Sequence, residues 1–422
     1  MSLPASVADA ILSDPLLPAQ FEAICDCGGR LAGTASEAQA LRLLRGLGEA
    51  ATGRAAEIVP TPYDGWRSRS ATLELLRGSS GGPRAVPLGC LPLVRSVATA
   101  GVEAEVVSVG RGTEAEFSAL AAALPGRIAL VQHEYMFAAG HIHRRLKYAW
   151  AREAGAVGFL IAGPLPTRAV AGSSGRGRED GIPALGITPE AAARLAPGGP
   201  GYWRARIRID AEERPGETDA ILFDLPGAGA EVVVLSAHLD GHDPAESAMD
   251  NASGVAVALA VVRALAPLAD RFRRGLRLAF FSAEEWALTG SRLYLDALSP
   301  AERGRMVLNV NLDSVAGACG LTALCSGFPR VAELVAHASN GTGVPVRTFL
   351  PPMANSDHAN FIAQGIPALR LVAGFGDAQS NLRHVLTAAD TRDKVAEEQL
   401  RLATLAAASI TWAAITDDRS YA

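Results

Sequence analysis

Lysine is nearly missing from this chain. Of 422 residues only Lys147 and Lys394 are lysines, while arginine, alanine, glycine and proline are plentiful. That bias fits a GC-rich bacterial genome and speaks to codons rather than function. No Lys/Arg-rich run occurs and the formal net charge is -5, so nothing favours nucleic-acid binding. Cysteine is scarce as well. Cys25, Cys27, Cys90, Cys319 and Cys325 are scattered and cannot frame a disulfide scaffold in a chain this long. The opening, MSLPASVADAILSDPLLPAQ, lacks the basic start and apolar core of a signal peptide. No stretch reaches ~18 uninterrupted apolar residues, so no membrane span is expected. Both absences point to the cytoplasm, or to a secreted or periplasmic protein if a signal has been removed.

What is present is apolar. Hydrophobic residues make up 49% and charged residues 20%, enough for a large core, and the length suits two or three domains. Residues 35–50 carry Ala40, Leu43, Leu44 and Leu47 at helical spacing, with Ser36 as the expected N-cap. RSATLELL, 69–76, alternates like a strand. GSSGG, 78–82, matches the serine-hydrolase elbow Gly-x-Ser-x-Gly. Gly82 and Pro83 follow where that elbow needs a helix, so the match reads as chance. Residues 86–200 break into short strands around a helix near 144–154, then a strand and a helix opened by Thr188-Pro189 and ended at glycine. They look like a compact inserted module. Residues 204–227 read as two strands around a turn at Pro215-Gly216. From 231 onward, continuous apolar strands alternate with helices, which predicts an α/β sheet covered on both faces.

The polar residues fall where those strands end. VVVLSAHLDGHD finishes in His238 and Asp240, and the next helix is expected to begin at Asp250. LRLAFFSAEE finishes in Glu284 and Glu285, and VLNVNLD in Asp313. His384 follows IPALRLVAG. The C-terminal edge of an open α/β sheet is where ligands bind. Histidines with carboxylates and no cysteine suit divalent zinc. A pair of metals needs a bridging carboxylate, a role that fits Asp250 at a helix N-terminus, with Asn251 and Gly254 leaving room. Asp240, two residues from His238, is placed to orient a ligating ring. Of Glu284 and Glu285, one can bind metal while the other moves protons. Each feature alone has a plain reading as a turn, a solvated pair or a helix cap. Together and in this order they point to a metal site. His242, His337, His133, His141 and His143 show no partners in the sequence and read as structural or surface.

These stretches carry a resemblance. SAHLDGHD, SAMDNASGVAVALAVVRAL, RLAFFSAEEWALTGSRLYL, VNLDSVAG, NSDHANFIAQGIPALRL and RHVLTAADTRDKV, with the early GGRLAGTASEAQA, resemble the zinc-dependent aminopeptidase family. That family includes aminopeptidase Y, bacterial leucine aminopeptidases and glutamate carboxypeptidases. The resemblance covers about 20–84 and 204–400, and 86–200 looks like the protease-associated domain often inserted in this family. It implies a three-layer α/β/α zinc exopeptidase fold with a mostly parallel mixed central sheet. The implied divisions are 1–85 and 201–422 for the peptidase and 86–200 for a smaller protease-associated-like β/α domain. It also implies two zinc ions, one held by His238 and Asp313, the other by Glu285 and His384, with Asp250 bridging. Glu284 would be the general base for the attacking water and Asp240 the partner of the ligating ring. Many relatives place their last histidine in a His-Thr-Pro-x-Asp-Thr turn, whereas here Asp390 lies two positions further from His384. His384, after the last strand, is expected as the ligand, and His358, before it, as a wall of the pocket.

The expected activity is hydrolysis of a peptide or aminoacyl-amide by an aminopeptidase. A carboxypeptidase or dipeptidase is a close variant on the same scaffold. A glutaminyl-cyclase-like acyltransferase would use one zinc. A non-catalytic receptor would have lost ligands that are all present here. No nucleic-acid or membrane partner is expected, and a homodimer is left open.

Overall fold

A computed structural model of the chain describes residues 2–77, 84–177, 180–195 and 204–422. The GSSGG match, the glycine expected to end the helix after Pro189 and the boundary expected at 200 lie outside them. The described residues form two compact units. One comprises 1–63, 216–385 and 390–422; the other comprises 64–215 and 386–389. The boundary read from sequence at 86 falls inside the second unit.

The chain opens with helices α1 (Ala5–Leu12), α2 (Leu16–Cys25) and α3 (Ala35–Thr52). The cap of α3 is Thr34, not Ser36: the Thr34 hydroxyl accepts the Glu37 N–H at 3.2 Å. Ser36 sits inside the first turn, where its hydroxyl donates to the Cys27 carbonyl and accepts the Arg30 N–H. Strand β1 (Glu57–Arg77) then carries the chain into the second unit. There follow β2 (Arg84–Leu88), β3 (Cys90–Pro92), β4 (Thr99–Gly110), α4 (Glu114–Ala119), β5 (Ile128–Gln132), α5 (Arg144–Glu153), β6 (Gly158–Ala162), β7 (Ala184–Ile187) and α6 (Pro189–Leu195). Parallel pairs β4–β5, β5–β6 and β6–β7 make its centre, with β3 antiparallel on β7. The Thr188 hydroxyl caps α6 by accepting the Ala191 N–H.

Strand β8 (Arg204–Leu225) returns the chain to the first unit. It is one strand of 22 residues, not two around Pro215-Gly216. Pro215 lies in an exposed stretch between the segment paired with β4 and the segment paired with β10. The rest of the first unit is β9 (Val232–His238), α7 (Ser253–Leu265), β10 (Gly275–Phe281), α8 (Thr289–Ala297), α9 (Pro300–Gly304), β11 (Met306–Leu312), β12 (Leu321–Leu324), α10 (Pro329–Thr342), β13 (Val346–Phe349), α11 (His358–Ala363), β14 (Ala368–Ala373) and α12 (Glu397–Thr416).

The strand order of the first unit is β13-β12-β14-β11-β9-β10-β8. Strands β14, β11, β9 and β10 run parallel; β12 and β8 are antiparallel to their neighbours in that group. Helices α7, α12, α2 and α10 pack together on one face, and α8 and α11 on the other, which makes the three layers expected. On the α8/α11 face, Phe281, Tyr294, Leu295 and Phe361 share one apolar cluster with Leu222 and Val234. Helix α7 is apolar all round because it is wrapped: strands lie against one side and α12, α2, α3 and α1 against the others. Each Val or Leu it hides contributes roughly 1.5–3 kcal/mol. By length and composition alone the stretch Ala248–Arg271 could cross a membrane, but it is mostly buried and serves as the core helix.

Candidate metal centre

Strands β11, β9 and β10 are adjacent and parallel, so their C-terminal ends share one edge. His238 closes β9, Asp313 follows β11 and Glu284 follows β10 by three residues. A ligand atom from each of these three lies within 4.8 Å of the others, and all three side chains are buried. The His238 Nδ1 lies 3.0 Å from the Asp240 carbonyl oxygen. A carbonyl can only accept, so Nδ1 carries a proton and Nε2 is the nitrogen turned towards the carboxylates. Nε2 faces Asp250 Oδ1 at 3.1 Å and Asp313 Oδ1 at 3.6 Å.

The Asp240 side chain also has a task that was not expected. Its Oδ1 is 3.7 Å from the ring. Its two oxygens accept the backbone N–H groups of Glu284 and Glu285, each at 3.1 Å. It therefore fixes the turn that presents both glutamates. Glu284, expected as the base, is the one grouped with His238 and Asp313. Glu285, expected as a ligand, has Oε2 2.7 Å from Nε2 of His242. His242 is thus buried against a site residue and is not the partnerless group the sequence suggested.

Asp250 does not open the helix. It lies in a π-type turn, Ala248–Ala252, with φ -117° and ψ 86°, and α7 begins at Ser253. The turn is braced elsewhere: Asp390 accepts the Met249 N–H at 2.8 Å and the Asp250 N–H at 3.3 Å. Asp390 thus ties the segment after His384 to this turn. Asn251 ties the strand ends together, donating to the Leu312 carbonyl and accepting from Gly254 and Ser314. Gly254 is required by that closeness, since a Cβ there would meet Asn251 Oδ1 and the Leu312 carbonyl at 2.3 Å. Arg30, fully buried, donates to the carbonyls of Leu239, Glu246 and Ser247 and so pins the loop between β9 and α7.

His384 ends a 3-10 turn, Asn381–His384, after β14. The residues that lengthen its loop, 386–389, belong to the second unit, where the Leu386 carbonyl accepts the Ala171 N–H. His358 opens α11 and is fully buried. Burial and the Arg370 charge push its pKa down to about 3, Asp313 opposing, so the ring stays neutral. Two residues that the sequence reading passed over belong to the centre. Asp357 is fully buried, and burial pushes its carboxyl up to about 7, against the pull of His238 and a hydrogen bond from Ser291. Arg370 places Nη2 3.1 Å from Asp313 Oδ2. A lone charge inside IPALRLVAG was the available signal, because a strand covered on both faces must give it a buried partner.

The charge balance is one-sided. Asp240, Asp250, Glu284, Glu285, Asp313 and Asp357 are all buried. Burial raises Glu284 well above the ordinary carboxylate range; His238 opposes and Glu285, Asp357 and Asp313 add to it. Burial alone would lower His238, but Glu284, Asp240, Asp250 and Asp313 together raise it well above an ordinary imidazole. Burial would likewise raise Asp313, yet Arg370 and His238 hold it below the usual range. Ionised carboxylates taken out of water each cost several kcal/mol unless compensated. A divalent cation among these N and O donors supplies the missing charge, so the residues fit a metal.

Known proteins resemble this chain in sequence and in fold. Residues 220–411 match peptidase family M28, and residues 91–195 match the PA domain. Leupeptin-inactivating enzyme 1 of Streptomyces exfoliatus is 28% identical over 155 residues, 36% of this chain and 35% of that protein. The chain spans about a third of the length of the curated relatives it matches first. An aminopeptidase from Aneurinibacillus sp. strain AM-1 superposes with a TM-score of 0.69 at 26% identity, covering 94% of this chain and 93% of that one. A zinc aminopeptidase from Bacillus subtilis shares the fold, with a TM-score of 0.73 at 23% identity over 96% and 97% of the two chains.

Proposed function

We propose, from the match of residues 220–411 to peptidase family M28, that this protein is a zinc aminopeptidase. It would release N-terminal residues from peptides or aminoacyl-amides. The observation that carries the reading is the buried group of His238, Glu284 and Asp313 at one sheet edge, set among carboxylates that need a cation. His238 and Asp313 would hold one zinc ion, Glu285 and His384 a second, and Asp250 would bridge them. Bound there, zinc supplies electrophilic polarisation of the scissile carbonyl. The remaining work belongs to the chain. Asp240 holds the turn that presents Glu284. Glu284 takes a proton from the attacking water and returns it to the departing amine. Burial keeps that exchange away from bulk solvent. The inserted 86–200 module would contribute no ligand. The matched relatives named as aminopeptidases favour this over a one-zinc acyltransferase.

Metal analysis and a panel of aminoacyl-amides and N-blocked peptides on the same sample test it. Close to two zinc equivalents, activity on free N-termini and loss of hydrolysis on chelation are expected. Full activity in a metal-free sample would sink the reading.

A further inference from the structure

Arg370 interrupts β14, an otherwise apolar strand, and its side chain is fully buried. A guanidinium stays charged at any working pH, so it must be paired when buried. Nη2 lies 3.1 Å from Asp313 Oδ2, and Nη1 donates to the Asn355 carbonyl at 3.2 Å. The other Asp313 oxygen keeps different company. Oδ1 accepts from the Ser314 hydroxyl at 3.0 Å and lies 3.6 Å from His238 Nε2. One oxygen faces a fixed cation and the other faces the candidate metal position.

We propose that Arg370 is a positioning residue that reserves the outer oxygen of Asp313, so that this carboxylate offers a metal Oδ1 alone, and that its fixed charge weakens metal binding there. The inference rests on the reading that His238 and Asp313 hold zinc. A carboxylate without such a partner can turn both oxygens to a cation. Two effects oppose each other when the guanidinium is removed. Losing a group that orients a ligand usually lowers metal affinity ~10–100-fold. Losing a unit positive charge beside a divalent ion raises it, and in a buried site salt screens that repulsion little. At the effective dielectric of buried sites the charge effect is the larger. The native arrangement therefore gives up affinity, and a carboxylate shared with a guanidinium donates less electron density, leaving a bound metal the stronger Lewis acid.

Zinc dissociation constants of the metal-free full-length protein, measured by competition with a chromophoric chelator, test this. Arg370→Gln removes the charge and keeps hydrogen-bonding capacity; Arg370→Lys keeps the charge and loses the fork. Arg370→Gln should tighten at least one stepwise constant by about tenfold or more, while Arg370→Lys stays within about threefold of the wild type. Equal or weaker binding by Arg370→Gln, or a matching gain in Arg370→Lys, overturns the proposal. Should metal-free Arg370→Gln fail to fold, zinc release from the loaded protein into excess chelator makes the same comparison. Slower release than wild type supports it, and equal or faster release overturns it. A wild type that takes up no zinc overturns the metal reading and this inference with it; a wild type that binds zinc as Arg370→Gln does overturns this inference alone.

Discussion

Each unit of the chain gathers histidines, carboxylates and cations in one place, and the two gatherings are opposite in sign. In the first unit, six buried carboxylates surround His238 with Arg370 at their edge. In the second, His133, His141 and His143 share a neighbourhood with Glu134, Arg144, Lys147 and Arg111. Glu134 is already engaged there, accepting from Lys147 at 2.8 Å and from Arg111. Burial lowers His133 and His143 well below an ordinary imidazole, and the nearby cations lower them further. The same residue types thus give a raised His238 where acids dominate and lowered histidines where cations do, His358 beside Arg370 included. Among the described residues only the acid-rich gathering brings three possible metal ligands within reach of one ion. Histidine count is a poor guide to a metal site; uncompensated buried negative charge is the better one.

The sharpest way to break that comparison is at its acid-rich side. Glu284→Gln should cut turnover ~100-fold or more, because an amide cannot accept the water's proton. Zinc content should stay as in the wild type. Loss of zinc instead would exchange the roles of Glu284 and Glu285, a live distinction because Glu284 is the one grouped with His238 and Asp313. A smaller effect separates the late histidines. His384→Ala should retain about one zinc after mild dialysis, whereas His358→Ala should retain about two, bound ~10–100-fold more weakly. The opposite pattern would show that the longer loop carries His384 away from the metals. Replacing His133 and His143 by alanine should leave zinc content unchanged, and a lost equivalent would erase the contrast between the two gatherings.

Much of this was legible in the chain, because continuous apolar strands leave their polar ends in plain view. His238, Glu284, Glu285 and Asp313 could each be placed at or just after the end of an apolar strand. What was not legible depends on pairing across long separations. Asp250 looked like a helix cap, but the chain makes a π-type turn before α7, held by Asp390 from 140 residues away. Pro215-Gly216 carried a turn signal, yet β8 continues through both residues as one strand. His242 seemed alone until β9 and β10 were set side by side, which brings Glu285 to it. Asp357 and Arg370 were in view as letters, in NSDHANF and IPALRLVAG, but their importance lies in which buried charge each one meets.

The smallest expected effect tests the base-rich side. Burial pushes His141 down to about 4 from an ordinary value of 6.5; Glu134 opposes, while Lys147, Arg144 and Arg111 add to the fall. The native state then holds fewer protons at this ring than the unfolded state does between those two values. Stability must rise with pH across that window. It is fully present above 6.5 and is lost as pH falls towards 4. Glutamine cannot be protonated and keeps a polar side chain of similar reach. His141→Gln should therefore unfold much like the wild type near pH 7 but lose less of its melting temperature on acidification to about pH 5. His133 and His143 remain and are shifted in the same direction, so the slope should shrink without vanishing. Thermal unfolding of both proteins at the two pH values decides the matter. An unchanged slope would mean that neither burial nor the cations around His141 lower its protonation, and the contrast drawn between the two units would fail on this side.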